Sequence, residues 1–402
     1  MPRRITPARK RSSLLAKKPG YAALLLAATL ILAGSSAAAA PAEHAPAAHA
    51  SAAHDASRRG TLLLIGGALE DTNRPVYQRF LALASAHGPA HIVIAAAASL
   101  EQDESADYKI KALKSWAPGV NIEVVRRETP TAETVAAIDR ATAMFFTGGD
   151  QKRVTDRYRP GDKDTPEWLA MRRLLARGGV IAGTSAGDAM MGNIMFLSGD
   201  STRALGIVPT PGRPAPGDDD EEESPLWLGP RLAPGMRFYS LAICDSHFFE
   251  RDRVGRLVAA QEMAGVKLGI GVGEDAAVEV DLRTGELRGL SLTESLLVDT
   301  EELRRDGLSR SGMVARLIHQ GDRIAPAHWL ATATAPRKTP AGPVQDLPDS
   351  GPGADPRPAA WRLFHLASEP GSHAVRQSLD GFSITAYPAG LGNVAFDIHV
   401  GK

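Results

Sequence analysis

The sequence predicts an α/β fold: a doubly wound, mostly parallel sheet with helices on both faces, followed by a small C-terminal β-rich extension. Three observations carry this. Short, near-continuously apolar runs of the kind buried parallel strands require begin at residue 60. Segments of helical periodicity separate them, and the connectors are long enough for the crossovers that parallel strands need.

In chain order the strands fall at 61–67 (TLLLIGG), 91–98 (HIVIAAAA), 121–126 (NIEVVR), 143–150 (AMFFTGGD) and 179–187 (GVIAGTSAG). Helices fall near 75–87, 105–116, 131–139 and 166–177, and AMMGNIMFL, directly after the last of these strands, reads as another helix. A strand at 241–248 (LAICDSHF), a helix at about 250–264 and apolar runs at 266–280 and 294–299 are expected to complete the sheet and its edge.

Two segments interrupt this order. Residues 209–230 combine Pro, Gly and six successive acids, Asp218 to Glu223, and read as an exposed insertion, either a solvated loop or an acidic lip for cationic ligands. The Pro- and Ala-rich stretch 325–360 reads as a linker that closes the main domain of 60–324. Beyond it WRLFHLAS, FSITAYPAG and NVAFDIHVG show alternating apolar positions, which suggests β structure over 361–402.

The N-terminus reads as an export address. Seven basic residues (Arg3, Arg4, Arg9, Lys10, Arg11, Lys17, Lys18) precede an apolar run from Tyr21 to Gly34 and then an Ala-rich series with several Ala-x-Ala frames. The apolar run is shorter than the roughly 20 residues that span a bilayer, so a cleaved signal peptide over 1–40 is expected. An Ala/His/Pro leader follows over 41–59, in which His44, His49 and His54 recur every five positions and read as a solvated linker. Secretion or a periplasmic location is the corresponding expectation.

Composition narrows the function. Of 402 residues, 46 are Lys or Arg and 46 Asp or Glu. Outside the first 40 residues, 39 bases face 46 acids, a formal charge of −7 that argues against a strongly basic nucleic-acid binder. The single Cys244 excludes an intrachain disulfide and a Cys-based zinc site. No metal and no cofactor are expected.

The chemical signal lies in Gly183-Thr184-Ser185-Ala186-Gly187, a G-x-S-x-G pattern between a buried strand and an expected helix, the context of a nucleophile elbow. Glycines flank such a serine because the sharp turn brings backbone too close for a Cβ. The helix start beneath it would supply N–H groups and dipole to an oxyanion. Alone, the motif also fits an ordinary Gly-rich turn.

A nucleophilic serine needs a base and a group to orient that base. His87 and His91 sit at a helix end and a strand start and read as structural, while His319 carries no such context. His247 ends a strand on the edge where Ser185 lies, and Glu274 and Asp275 end another, so three strand ends are expected to converge. Strand alternation lets only one of the two acids face His247. The order Ser, His, acid differs from that of α/β-hydrolases, and an HGGG-type segment is missing.

Taken together, FFTGGDQ (145–151), GTSAG (183–187), DSHFFERDRVGRL (245–257) and GIGVGED (269–275) resemble the cyanophycinase branch of the S51 serine peptidases over roughly residues 60–320. The resemblance implies a class I glutamine-amidotransferase-like core, with Ser185 as nucleophile, His247 as base and Glu274 as the orienting carboxylate. It implies an oxyanion hole from the backbone of Gly149, Asp150 and Ala186. Substrate contacts are implied for Gln151, Asp245, Ser246, Arg251, Arg253 and Arg256, the arginines because a guanidinium grips a carboxylate bidentately.

The implied substrate is cyanophycin, a poly-aspartate with an arginine on each side-chain carboxylate, released as β-Asp-Arg dipeptides. The sequence departs from the family pattern at Asp188, usually Ala, and at Ser246, usually Gln. An exported isoaspartyl or aspartyl peptidase acting on short peptides, and an inactive binding protein on the same scaffold, are the alternatives. Partners are therefore a cyanophycin or aspartyl-peptide substrate, with no nucleic acid, no membrane after signal cleavage, and a homodimer left open.

Overall fold

The computed structural model describes residues 59–207, 228–326, 329, 343–348, 357–379 and 381–401. The export segment, most of the leader and the acidic run 218–223 lie outside the described residues. The first part of the chain alternates strand and helix: β1 (Thr61–Ile65), α1 (Arg74–Ala84), β2 (His91–Ala95), α2 (Gln102–Trp116), β3 (Asn121–Val125), α3 (Thr131–Arg140), β4 (Ala143–Phe146), α4 (Gln151–Tyr158), α5 (Pro166–Ala176) and β5 (Val180–Thr184). These strands lie in the order β1-β5-β4-β2-β3, all parallel.

Alternation along each strand builds two cores. Leu62, Leu64, Val93, Met144 and Phe146 face α3, α4 and α5 through Ile138, Val154, Tyr158 and Leu174. Leu63, Ile65, Ile94 and Phe145 face α1 and α2 through Val76, Phe80 and Leu113. Burying each such large side chain contributes about 1.5–3 kcal/mol. Helix starts are set by local chemistry: Asn73 caps α1 at the Val76 N–H with Pro75 in the first turn, and Thr165 caps α5 at the Trp168 N–H. Helix α4 begins where the sequence pattern showed only a strand end, because Asp150 caps it by accepting from the Lys152 N–H at 2.7 Å.

Beyond β5 the expectation of a helix over AMMGNIMFL is corrected. Only one turn forms, α6 (Ala186–Ala189). Gly192 and Asn193, poor helix residues, follow it, and the chain enters β6 (Ile194–Ser198). After α7 (Ser201–Ala204), β7 (Arg231–Pro234) pairs antiparallel with β6.

The chain continues through β8 (Ala242–Asp245), α8 (Val254–Ala264), β9 (Leu268–Val272), β10 (Ala277–Asp281), β11 (Leu287–Gly289), β12 (Ser295–Asp299), β13 (Arg304–Asp306), β14 (Ser309–Ile318), β15 (Arg323–Ile324) and β16 (Val344–Asp346). It ends with α9 (Ala359–Ser368), β17 (Ala374–Leu379), β18 (Phe382–Gly390) and β19 (Asn393–Val400).

Only some of these strands complete the first sheet. β10 pairs antiparallel along the whole of β1 and, with β11 and β15, occupies that edge. β8, β9 and β12 instead join β14, β19, β18, β17 and β16 in a second, mostly antiparallel sheet. One face of it, with Ile270, Leu297 and Val314, shares the core under the first sheet. The other, with Leu296, Val298 and Met313, packs on α8 and α9.

The C-terminal region is strand-rich, and β19 bonds to β14 along most of its length. WRLFHLAS, expected as β, is the helix α9. Its buried residues Ala360, Trp361, Leu363, Phe364 and Ala367 recur at three- and four-residue spacing, which satisfies one helix face better than a pleat. Among the described residues no helix is long and apolar enough to cross a membrane.

Candidate active site

Ser185, His247 and Glu274 come together, though not on one sheet edge as expected. Ser185 follows β5 of the first sheet, whereas His247 and Glu274 follow β8 and β9 of the second, so the site lies where the two sheets meet. Three consecutive carbonyls after β1 align the three turns. Ile65 O accepts the Ser185 N–H at 2.9 Å, Gly66 O the His247 N–H at 2.7 Å, and Gly67 O the Asp275 N–H at 2.9 Å.

Each residue so held has positive φ: 54° at Ser185, 45° at His247 and 54° at Asp275. Such backbone costs of order 1–3 kcal/mol per residue and persists only where surrounding bonds over-determine it. Glycine is required at two nearby points. A Cβ on Gly183 would lie 2.1 Å from Gly187 O, and one on Gly67, whose φ is 107°, would lie 2.3 Å from Cε1 of the His247 ring.

Ser185 Oγ lies 2.8 Å from His247 Nε2, and His247 Nδ1 lies 2.7 Å from Glu274 Oε1. A carboxylate can only accept, so Nδ1 carries the proton and Nε2 is left to accept from the serine hydroxyl. The His247 pKa is depressed, first by burial and further by the Arg251 and Arg253 charges, against the opposing hydrogen bond to Glu274. The ring is therefore neutral at neutral pH and able to act as a base.

Glu250 Oε2 accepts the Glu274 N–H at 3.1 Å and so fixes that turn. Burial raises the Glu250 pKa. Asp275 faces elsewhere: its Oδ1 accepts from the Glu70 N–H at 2.9 Å and Asn73 Nδ2 at 2.8 Å, tying down the loop after β1. The two acids separate because they occupy a turn between strands, not successive positions on one pleat.

The expected oxyanion donors divide. The Asp150 N–H is committed to Ala98 O at 3.0 Å, which removes it from the set. The N–H groups of Gly149 and Ala186 have no acceptor among the described residues. Gly148, which the sequence reading passed over, packs directly on Ser185: a Cβ there would meet Ser185 Cβ at 3.4 Å. With α6 a single turn, backbone N–H groups replace the expected helix dipole as the source of positive potential.

The expected substrate contacts are mostly committed elsewhere. Gln151 Nε2 donates to Phe196 O at 2.7 Å and ties α4 to β6. Asp245 is wholly buried and accepts a two-pronged bond from Arg256, Nε to Oδ2 at 2.8 Å and Nη2 to Oδ1 at 2.5 Å. Arg256 also donates to Gly199 O at 2.7 Å, and Arg253, buried beside it, to Ser246 O at 2.7 Å. Asp245, Ser246, Arg253 and Arg256 are thus a buried ionic brace beneath the His247 turn. Arg251 alone of the three arginines is half-buried at the site's edge.

A cleft of about 690 Å³ opens from Ser185. Ser185, His247, Thr147 and Gly148 form one wall, and Glu70, Glu101, Glu104, Tyr108 and Lys109 lie on the other. Among the described residues no cluster of three or more His, Cys, Asp or Glu side chains could hold a metal ion.

The model of peptidase family S51 matches residues 62–224. A cyanophycinase from Nostoc sp. is 30% identical over 249 residues, covering 60% of this chain and 74% of the relative. The chain belongs to peptidase family S51. A cyanophycinase from Geminocystis herdmanii is likewise 30% identical, over 54% of this chain and 72% of its own length. A solved peptidase from an acI-B1 Actinobacterium aligns with a TM-score of 0.48 at 16% identity, over 67% of this chain and 98% of that one.

This S51 protein is a serine-type peptidase. Besides Gly148, the sequence reading missed Gly66 and Gly67, visible only as a Gly-Gly pair after a strand. It also missed Glu250, which lies within the 245–257 segment but was given no role, and Lys109, which carries no motif at all.

Proposed function

We propose that this peptidase hydrolyses cyanophycin, releasing β-Asp-Arg dipeptides through an acyl-enzyme on Ser185. The observation that carries this reading is the continuous hydrogen-bond chain Ser185–His247–Glu274 at the mouth of a cleft large enough for a peptide, in a chain whose relatives include cyanophycinases. Ser185 Oγ attacks an aspartyl main-chain carbonyl while His247 Nε2 takes the hydroxyl proton, and Glu274 stabilises the imidazolium.

The tetrahedral oxyanion is held by backbone N–H groups around Gly148, Gly149 and Ala186. His247 then gives its proton to the leaving amine, the C–N bond breaks, and the Ser185 ester remains. Water, deprotonated by the same nitrogen, attacks the ester carbonyl, and as the C–O bond to the serine breaks His247 returns that proton to Ser185 Oγ, releasing the acid and free enzyme. The export signal read in residues 1–40 supports action outside the cytoplasm, and N-terminal sequencing of the mature chain checks it.

The test is incubation of the mature chain with insoluble cyanophycin and, separately, with β-aspartyl dipeptides. Clearing of cyanophycin with release of β-Asp-Arg supports the reading, and cleavage of dipeptides alone replaces it with an aspartyl dipeptidase. Ser185→Ala should lower kcat by at least about 10⁴-fold with substrate binding retained. Activity within tenfold of wild type would remove Ser185 as the nucleophile.

A further inference from the structure

The wall of the cleft opposite the nucleophile contains a charge the mechanism does not use. Lys109, on α2, is 4% exposed yet lines the cleft with Ser185 and His247. Its Nζ donates to Tyr77 Oη at 2.8 Å and sits 5.0–5.5 Å from the ring centres of Phe145, Tyr77 and Tyr108. An ammonium has three N–H donors, and Tyr77 takes one. Asp71 is the anionic group that acts on it, and its attraction does not offset the cost of burying the cation.

The rim above it has the opposite sign. Glu70, Glu101 and Glu104 are exposed around the same cleft and form no ion pair with a described residue. Glu101 and Glu104 stand at the start of α2, where the helix dipole favours acids. That accounts for neither Glu70, on a different loop, nor a buried lysine one turn and a half further along the helix. Glu104 and Lys109 are five residues apart on α2, about 7.5 Å along the axis and roughly 140° around it, and both still reach the same cleft.

We propose that this wall is the subsite for an arginine with a free α-carboxylate, Lys109 receiving the carboxylate and the Glu70, Glu101 and Glu104 rim the guanidinium. The assignment rests on the cyanophycin reading above, in which each repeat presents both charges on one arginine. Burial draws the Lys109 pKa down to about 8, with Asp71 opposing, and the groups facing it are Asp71, Tyr77 and Tyr108. The lysine is charged below pH 8, and its grip on a carboxylate is lost as pH rises through that value.

The experiment compares soluble oligomers of the repeat carrying free arginine carboxylates, arginine amides, or citrulline in place of arginine. Wild type should favour the free carboxylate over the amide, and arginine over citrulline, each by about ten- to a hundredfold in kcat/KM. Lys109→Met should abolish the first preference and keep the second. Glu101→Gln with Glu104→Gln, on the exposed helix face, should reduce the second and keep the first. The carboxylate preference should fade above pH 8 in wild type.

Undiminished preferences in these variants would overturn the subsite. Calorimetric titration of wild type and Lys109→Met with β-Asp-Arg and its amide separates this from failure of the substrate reading. A Lys109-dependent preference for the free dipeptide without cyanophycin cleavage upholds the subsite and removes only cyanophycin. Cyanophycin cleavage with equal binding of both dipeptides removes only the subsite.

Discussion

The two walls of the cleft are built on opposite principles. The catalytic wall is assembled from backbone: three turns with left-handed residues at Ser185, His247 and Asp275, each tied by its N–H to one of three successive carbonyls of Ile65, Gly66 and Gly67. The opposite wall is mostly one regular helix, α2, whose carboxylates stand exposed, joined by Glu70 from the loop after β1. A change to the first alters the relative position of reacting atoms, and so acts on kcat. A change to the second alters what is recognised, with the scaffold intact.

The sharpest way to break that comparison is Gly67→Ala, which removes no catalytic group. The new Cβ would have to enter the space of the His247 ring at a φ that L-residues avoid. Displacing the ring by an ångström should lower kcat/KM about 100-fold, because near-attack geometry is lost. The same measurement on the Glu101→Gln, Glu104→Gln pair should show KM rising with kcat nearly unchanged on arginine substrates. A Gly67→Ala enzyme with more than half the normal kcat would mean that the ring tolerates displacement and that the backbone alignment is incidental.

Legibility in the sequence followed the same division. The parallel strands β1 to β5 and helices α1, α2, α3 and α5 announce themselves by apolar period, since both faces of β1, β2, β4 and β5 are buried and only the edge strand β3 is half-exposed. Ser185, His247 and Glu274 lie in turns whose flanking glycines and acids are confined to short motifs, so the family resemblance could name them. The second sheet was not legible, because nothing in LAICD or LGIGV says which neighbour β8 and β9 will bond.

The charged run after His247 was sorted only in part. Of its three arginines Arg256 reads as the most structural, and the fold buries Arg253 as well against Asp245. Lys109 reads as an ordinary helical lysine until Phe145 and Tyr77 close around it.

Those arginines provide the second contrast. Arg256→Met leaves the buried Asp245 short of its two-pronged partner, and breaking such a pair costs about 3–5 kcal/mol. The melting temperature should fall by several degrees, with KM near normal at temperatures where the variant is folded. Arg251→Ala should do the reverse. Its charge helps hold the His247 pKa below the ordinary value of 6.5, and the proposed mechanism needs His247 neutral, so kcat/KM is expected to rise with pH through that pKa. Removing Arg251 moves this acid limb upward with little change in melting temperature. A stable Arg256→Met protein with a raised KM would return Arg256 to the substrate-binding set.

The smallest effect is expected beneath the nucleophile itself. Asp188, three residues after Ser185, is fully buried, and neither of its carboxyl oxygens has a hydrogen-bond partner among the described residues. Burial, and then the Asp245 charge, raise its pKa well above the carboxylate range, so it is neutral in the folded chain and does not oppose a negative oxyanion. The unfolded chain ionises near pH 3.9, so folding takes up a proton. Stability contributed at this site is therefore lost progressively as pH rises from about 4 toward the raised value.

Asp188→Ala removes both the unmatched polar atoms and the proton uptake, and alanine suits the helical turn. Its melting temperature should equal or exceed that of wild type, by more at pH 8 than at pH 5, with kcat unchanged. A variant that melts lower by the same margin at both pH values would show that the carboxyl is held by a bond worth more than its burial costs.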